Sequence, residues 1–117
     1  MFSEPKRVEK PWGYEIWFAH TEAYVGKVIH VDKGAQLSLQ YHEKKDETMY
    51  CLSGEAILVY EKNGVLVEEP FLPGTSFHVL PGMKHRLKAG HVDCDVLEAS
   101  TSQVDDVVRL QDDYGRG

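Results

Sequence analysis

Apolar and polar residues alternate over short stretches of this chain, and Gly, Pro and Asn separate most of the stretches. Between residues 36 and 41, for example, Leu37, Leu39 and Tyr41 alternate with polar side chains. A period of two is typical of β-strands that bury one face. The strands predicted in this way are residues 14–19, 24–31, 36–41, 47–52, 55–61, 65–69, 76–80, 85–88 and 92–98.

Turn residues and strand number together predict the fold class. Asn63-Gly64 lies between two apolar runs, and both residues tolerate the positive φ of a tight hairpin. Evidence for helices is thin: residues 102–109 are compatible with a short helix capped by Ser102 or with an edge strand through Val107 and Val108. Many short strands in one chain predict an all-β protein, specifically a jelly-roll β-barrel.

Length and composition add limits to this prediction. The 117 residues are enough for one domain, with a core at about residues 11–100 and a tail, 101–117, that covers the barrel mouth or frays. No apolar run approaches the roughly 18 residues of a membrane span, and the N-terminus lacks the apolar segment of a signal peptide, so a cytoplasmic protein with no membrane association is expected. The formal net charge is −6 with scattered Lys and Arg, which argues against nucleic-acid binding. Cys51 and Cys94 are interpreted as buried thiols.

Four spaced residues indicate a metal site. Gln40 and His42 are two positions apart and should share one face of a strand, while Glu47 and His85 come from later strands. Histidine and carboxylate are ordinary ligands of Zn, Fe, Mn and Ni, and the Gln amide oxygen is a weaker one. Each residue alone has an ordinary structural explanation. The joint spacing favours a divalent metal ion, with zinc preferred and iron, manganese or nickel as alternatives.

The spacing of these residues resembles the two cupin motifs. The first is Gly34-x5-Gln40-x-His42-x4-Glu47-x6-Gly54. The second is Gly74-x5-Leu80-Pro81-Gly82-x2-His85. Gln40 departs from the general pattern, in which a histidine leads the first motif.

That departure resembles the cupin domain of type II mannose-6-phosphate isomerases, which is often fused to a mannose-1-phosphate guanylyltransferase. The resemblance runs from about residue 11 to 116 and includes Lys10–Glu15, Leu37–Gln40, His85–Leu87 and Asp105–Arg116. It implies a cupin-type barrel, a homodimer and a small sugar phosphate as substrate. Leu37, Leu39 and Tyr41 are expected on an apolar outer face that forms the dimer interface.

The implied activity is aldose–ketose isomerisation of a phosphosugar of the mannose 6-phosphate/fructose 6-phosphate type. Its phosphate requires cations, and Arg109 and Arg116 match the tail of the family. Lys27 alternates with apolar residues on strand 25–31, so it either faces the site, as a substrate-binding and catalytic residue, or faces solvent. The residues do not identify the general base.

Two other functions fit the same residues. One is a non-catalytic sugar-binding or regulatory cupin that keeps the metal. The other is a small non-haem metal oxygenase, because two histidines and one carboxylate are its usual ligands. Gln40 argues against an oxygenase, and the orientation of the three cations distinguishes an isomerase from a binding protein.

Overall fold

The computed structural model describes residues 1–116, which contain nine β-strands and no helix. The strands are β1 (Lys6–Lys10), β2 (Gly13–His20), β3 (Val25–Val31), β4 (Leu39–Tyr41), β5 (Glu47–Lys62), β6 (Val65–Phe71), β7 (Ser76–Val79), β8 (His85–Ser100) and β9 (Val108–Gln111). All pairings between them are antiparallel. The all-β prediction is therefore confirmed.

Two long strands organise the sheet. One path through it runs β1-β2-β3-β8-β4-β9, and β5 pairs with β6, β7 and β8. Both β5 and β8 have 16 residues, so each has a different neighbour at its two ends. Such shared strands curl the sheet into the predicted jelly-roll barrel.

The predicted boundaries differ from the observed ones where the chain passes a turn residue without turning. Residues 47–52 and 55–61 form one strand, β5, with register shifts on both sides of Gly54. Gly54 has φ 87°, and a Cβ there would lie 1.9 Å from the backbone oxygen of Asp93. Only glycine fits such a close approach, so Gly54 marks an irregularity within a strand and not its end. The two strands predicted between 85 and 98 likewise merge into β8.

Other local predictions had mixed outcomes. Asn63 and Gly64 have φ values of 53° and 78°, as the hairpin requires, and they join β5 to β6. Cys51 and Cys94 are buried free thiols, as expected. The tail forms an edge strand, β9, and not a helix. Strand β1 was not predicted, because its sequence Lys-Arg-Val-Glu-Lys carries almost no apolar signal.

The expectation that Leu37 and Leu39 lie on an outer face is wrong. Leu39 is buried, and Leu37 packs partly buried against the core. Strand β4 has only three residues, and its pairing with β9 shifts register between Leu39 and Gln40. The strict alternation assumed from the sequence therefore does not hold there.

One histidine, His30, lies among three aspartates at the outside of the barrel, where β3 meets β8. The Nδ1 of His30 lies 2.7 Å from Asp95 Oδ1, and its Nε2 lies 3.2 Å from Asp93 Oδ2 and 3.5 Å from Asp32 Oδ1. The ring stacks on Tyr14 at 4.7 Å. Burial opposes protonation, but the hydrogen bond and charge of Asp95, with those of Asp93, raise the pKa of His30 above its ordinary value.

This shift predicts a pH dependence of folding stability. A histidine whose pKa is raised by folding stabilises the fold fully below the unfolded pKa of about 6.5, and the contribution disappears as the pH rises through the higher folded value. The replacement His30→Gln should lower the free energy of unfolding by up to about 1 kcal/mol at pH 5.5 and by less at pH 9. Urea unfolding at both pH values measures this, and an equal loss at both would contradict it.

Candidate metal centre

One cavity opens into the barrel and has a volume of about 450 Å³, within the usual range for small-molecule sites. Side chains from the inner faces of β1, β2, β3, β5 and β8, together with the tail, line it. Six cationic and four acidic side chains are among them. The lining is therefore net positive in a chain whose formal charge is −6.

Three predicted ligands meet inside this cavity. The Nε2 atoms of His42 and His85 lie 3.3 and 3.2 Å from the same oxygen, Oε1 of Glu47. All three residues are buried, and their candidate ligand atoms lie within 4.8 Å of one another. The expected convergence of residues that are up to 43 positions apart in the chain is thus found, with His42 just after β4, Glu47 at the start of β5 and His85 at the start of β8.

The hydrogen bonds of the two histidines determine how their rings are oriented. The Nδ1 of His42 lies 2.6 Å from the backbone oxygen of Asp106, and that of His85 lies 3.0 Å from the backbone oxygen of Met83. A carbonyl oxygen only accepts, so each Nδ1 carries a proton, and each ring directs its Nε2 at the Glu47 carboxylate. Metal-binding histidines are typically oriented in this way by a partner on the other nitrogen.

Two buried polar atoms without hydrogen-bond partners also fit a bound cation. The buried Nε2 of His42 and Oε2 of Glu47 have no hydrogen-bond partner among residues 1–116, although charged neighbours lie close to both. Buried polar atoms without partners are costly, and a bound cation would relieve that cost. The donor set of two imidazoles and one carboxylate therefore fits a divalent metal ion.

Gln40 is the fourth predicted ligand. It lies opposite His85 in the pairing of β4 with β8 and lines the same cavity, half-buried. Its Oε1 accepts a 3.4 Å hydrogen bond from Ser38 Oγ. An amide oxygen is accordingly available beside His85, in addition to the close group of three.

Asp106, in the tail, supports the loop that carries His42. Its carboxylate accepts the backbone N–H groups of Glu43, Lys44 and Lys45 at 3.0, 2.7 and 2.9 Å. These donors lower the pKa of Asp106. Since its backbone oxygen also accepts from His42, Asp106 fixes both the loop and the ring orientation. Asp106 was recognised in the sequence only as part of the tail pattern.

Two further buried residues, Lys45 and Glu98, were missed in the sequence. The Nζ of Lys45 lies 3.1 Å from Glu47 Oε2 and 3.3 Å from Glu98 Oε2, and the three side chains are 3–6% exposed. In the sequence, Lys45 belongs to the charged run Glu-Lys-Lys-Asp-Glu, which is typical of a solvated turn. Only the period of two that leads back from Glu47 indicates that Lys45 faces inward.

The charges of Lys45, Glu47 and Glu98 shift one another's pKa values. Burial opposes ionisation of Glu47, but His42, His85 and Lys45 together hold its pKa well below the usual range. Burial, together with the negative charge of Glu47, raises the pKa of Glu98 to about 8. Burial likewise opposes the charge of Lys45, but the two carboxylates raise its pKa.

Lys27 faces the cavity, so the first of the two orientations left open by the sequence is the observed one. Its side chain is buried, with Nζ 3.4 Å from Glu15 Oε1 and 4.4 Å from the centre of the Trp17 ring. Trp17 Nε1 donates to the same Glu15 oxygen at 2.8 Å. Lys27 is therefore held by an ion pair and an aromatic face.

Arg109 and Arg116 also line the cavity. Arg109 lies on β9 opposite Gln40, and its Nε is buried with no hydrogen-bond partner among the described residues. Arg116 instead forms a bidentate pair with Asp112, at 2.8 Å for the shortest contact. Arg86, the neighbour of His85, lies outside the cavity lining and donates to the backbone oxygens of Leu37 and Gln111.

Solved structures with the same fold belong to the cupins. CapF from Staphylococcus aureus has a TM-score of 0.81 at 15% identity, with 94% of this chain and 32% of that chain covered. Oxalate decarboxylase from Bacillus subtilis has a TM-score of 0.80 at 18% identity, with 93% and 31% covered. Together with the two motifs, this likeness identifies the fold as a cupin-type barrel.

Sequence comparison narrows the class to one family. Residues 2–112 match the family described as "Mannose-6-phosphate isomerase C-terminal", and the chain belongs to it. Xanthan biosynthesis protein XanB of Xanthomonas campestris is 31% identical over 115 residues, and mannose-1-phosphate guanylyltransferase ManC of Salmonella typhimurium is 30% identical over 115. Each match covers 95% of this chain.

These relatives are much longer proteins. The chain spans only 24% of XanB and 23% of ManC, about a quarter of each. The similarity concerns the cupin region and carries no information about the rest of either relative. Within residues 1–116, no helix long and apolar enough to span a membrane is present.

Proposed function

We propose that this cupin is a metal-dependent aldose–ketose isomerase of a phosphosugar, of the mannose 6-phosphate/fructose 6-phosphate type. The observation that supports it most is the convergence of His42, Glu47 and His85 in a cavity that also contains Lys27 and Arg109. A polyhydroxylated anion requires both features. Family membership supplies the substrate class, since the family is described by mannose 6-phosphate isomerisation.

His42, Glu47 and His85 are the proposed ligands, with the amide oxygen of Gln40 as the fourth. A divalent ion held by these residues would supply Lewis-acid chemistry towards the sugar carbonyl and hydroxyl groups. Zinc suits the nitrogen and oxygen donors, and iron, manganese and nickel suit them too. Manganese has a precedent in this fold, because oxalate decarboxylase from Bacillus subtilis has Mn(II) centres.

The chain's own side chains have separate tasks in this proposal. Isomerisation moves one proton between adjacent carbons while the carbonyl exchanges places with the neighbouring hydroxyl, through an enediolate with negative charge on oxygen. Lys27 stabilises that charge and contacts the substrate, because its ammonium is buried where water does not screen it. Arg109 and Arg116 contact the anionic end of the substrate from the tail.

The orientation of the cations favours an isomerase over a non-catalytic sugar-binding cupin. Lys27, Arg109 and Arg116 all line the cavity that contains the proposed ligands. Gln40, which lines it beside His85, argues against an oxygenase, because it occupies a position that oxygen chemistry requires to be open or filled by histidine. A homodimer is proposed by family likeness alone, with its interface unassigned.

The decisive experiment is an isomerase assay on the protein before and after removal of its metal. We expect interconversion of mannose 6-phosphate and fructose 6-phosphate, with loss of activity on chelation and recovery after one of the four ions is added. Elemental analysis of the purified protein identifies which ion it carries. In D2O, deuterium should appear at the carbon that exchanges its proton.

Two results would contradict this proposal. Full activity in metal-free protein would show that the reaction does not depend on a metal. Binding of mannose 6-phosphate by the metal-loaded protein, without product and without deuterium incorporation, would favour the non-catalytic alternative.

A further inference from the structure

Lys10 is a cation of the cavity that the sequence did not indicate. It is the last residue of β1, next to the Pro-Trp-Gly sequence, and it is half-buried in the cavity wall. No carboxylate lies within ion-pairing distance of its Nζ among residues 1–116. A lysine in this position keeps its charge available for a ligand.

The neighbours of Lys10 are mostly cations. Burial lowers the pKa of Lys10; Glu15 partly opposes this, and surrounding positive charges lower the pKa further. Those charges are Lys27, Arg116 and Arg109. Like charges gathered in a partly buried site repel one another, and a bound anion relieves that repulsion.

The cations differ in how far they are already neutralised. Lys27 pairs with Glu15, and Arg116 pairs with Asp112 through two nitrogens. Arg109 forms no ion pair within the described residues, and its buried Nε has no acceptor there. Among the buried and half-buried cations of the cavity, Lys10 and Arg109 are therefore the two with unused charge and unused donors. Lys6 also lines the cavity without an ion pair within residues 1–116, but it is exposed and lies over the Trp17 ring.

We infer that Lys10 and Arg109 form a binding subsite for a phosphate dianion in this cavity, with the ion-paired Lys27 and Arg116 as secondary contacts. A phosphate monoester carries a charge of about −1.5 to −2 at pH 7 and three strong acceptor oxygens. Two unpaired cations match that charge, whereas a carboxylate carries only one. The inference rests on the phosphosugar substrate proposed above and adds which residues bind its phosphate.

The test is a calorimetric binding titration of the metal-loaded protein with mannose 6-phosphate, inorganic phosphate, mannose and glucuronate. We expect Lys10→Met and Arg109→Gln each to weaken binding of both phosphate-containing ligands by about 10-fold or more. Mannose binding and metal content should not change. Lys33→Met, which removes an exposed lysine and changes the net charge equally, is the matched control.

Each outcome of the titration decides whether Lys10 and Arg109 bind phosphate. Unchanged affinity for mannose 6-phosphate and phosphate in Lys10→Met, or an equal loss in Lys33→Met, would overturn the inference. So would glucuronate binding that is as tight as that of mannose 6-phosphate and equally dependent on Lys10. Because no turnover is measured, a Lys10-dependent phosphate affinity in an inactive protein would support the subsite while the isomerase proposal fails.

Discussion

Replacing His42 or His85 by alanine is expected to abolish binding of the proposed divalent metal ion. Each replacement removes one of only two imidazoles whose Nε2 atoms approach Glu47 Oε1. Loss of a residue that merely orients a ligand already costs about 10–100-fold in metal affinity, so the loss of a ligand should exceed that range. Elemental analysis after dialysis against a weak chelator measures the effect.

A matched replacement separates the loss of a ligand from the loss of any histidine. His91 is exposed on β8 and outside the cavity lining, so His91→Ala should retain full metal content. Circular dichroism of each variant identifies any general loss of fold. Stoichiometric metal in both His42→Ala and His85→Ala would refute the ligand assignment.

The second large effect concerns stability. Replacing Lys45 by methionine should lower the free energy of unfolding by roughly 3–5 kcal/mol, because it removes the cation that contacts both Glu47 and Glu98 in a buried site. Lys45 is 4% exposed and lies within 3.3 Å of both Glu47 and Glu98. Urea unfolding of the purified variants measures this loss.

The adjacent lysine provides the control for that measurement. Lys44 is exposed, so Lys44→Met should change the free energy of unfolding by no more than about 0.5 kcal/mol. Adding Glu98→Gln to Lys45→Met replaces the second acidic group that Lys45 contacts by a neutral amide and should recover part of the loss. Equal stability of the Lys44 and Lys45 variants would show that the buried ion pairs do not stabilise the fold.

Much of the barrel and of its central group was predictable from the sequence. Gln40, His42, Glu47 and His85 occupy positions in two spaced motifs, and that joint spacing predicted that they converge. The orientation of Lys27 was not predictable, because a lysine among β-branched residues fits either face until the pairing of β3 with β2 and β8 is known. Leu37 and Leu39 were misassigned, because a register shift within a three-residue strand leaves no trace in the alternation.

The missed residues share a physical cause. Lys10 and Lys45 lie in charged stretches, where a single inward residue has the same composition as a solvated turn. Glu98 alternates correctly with Val96 on β8, but a buried glutamate is expected only once its partner is known. Charge pairs between distant strands follow from tertiary pairing and not from local pattern.

The double role of Asp106 has a consequence for anyone who shortens this protein. A version ending at residue 100 would keep strands β1–β8 and all four candidate ligands, yet it would lack the acceptor for the His42 ring and the carboxylate that holds residues 43–45. In such a truncation the imidazole could rotate freely. The tail that begins at residue 101 therefore helps to hold the candidate ligand His42 through Asp106, and expression trials should preserve it.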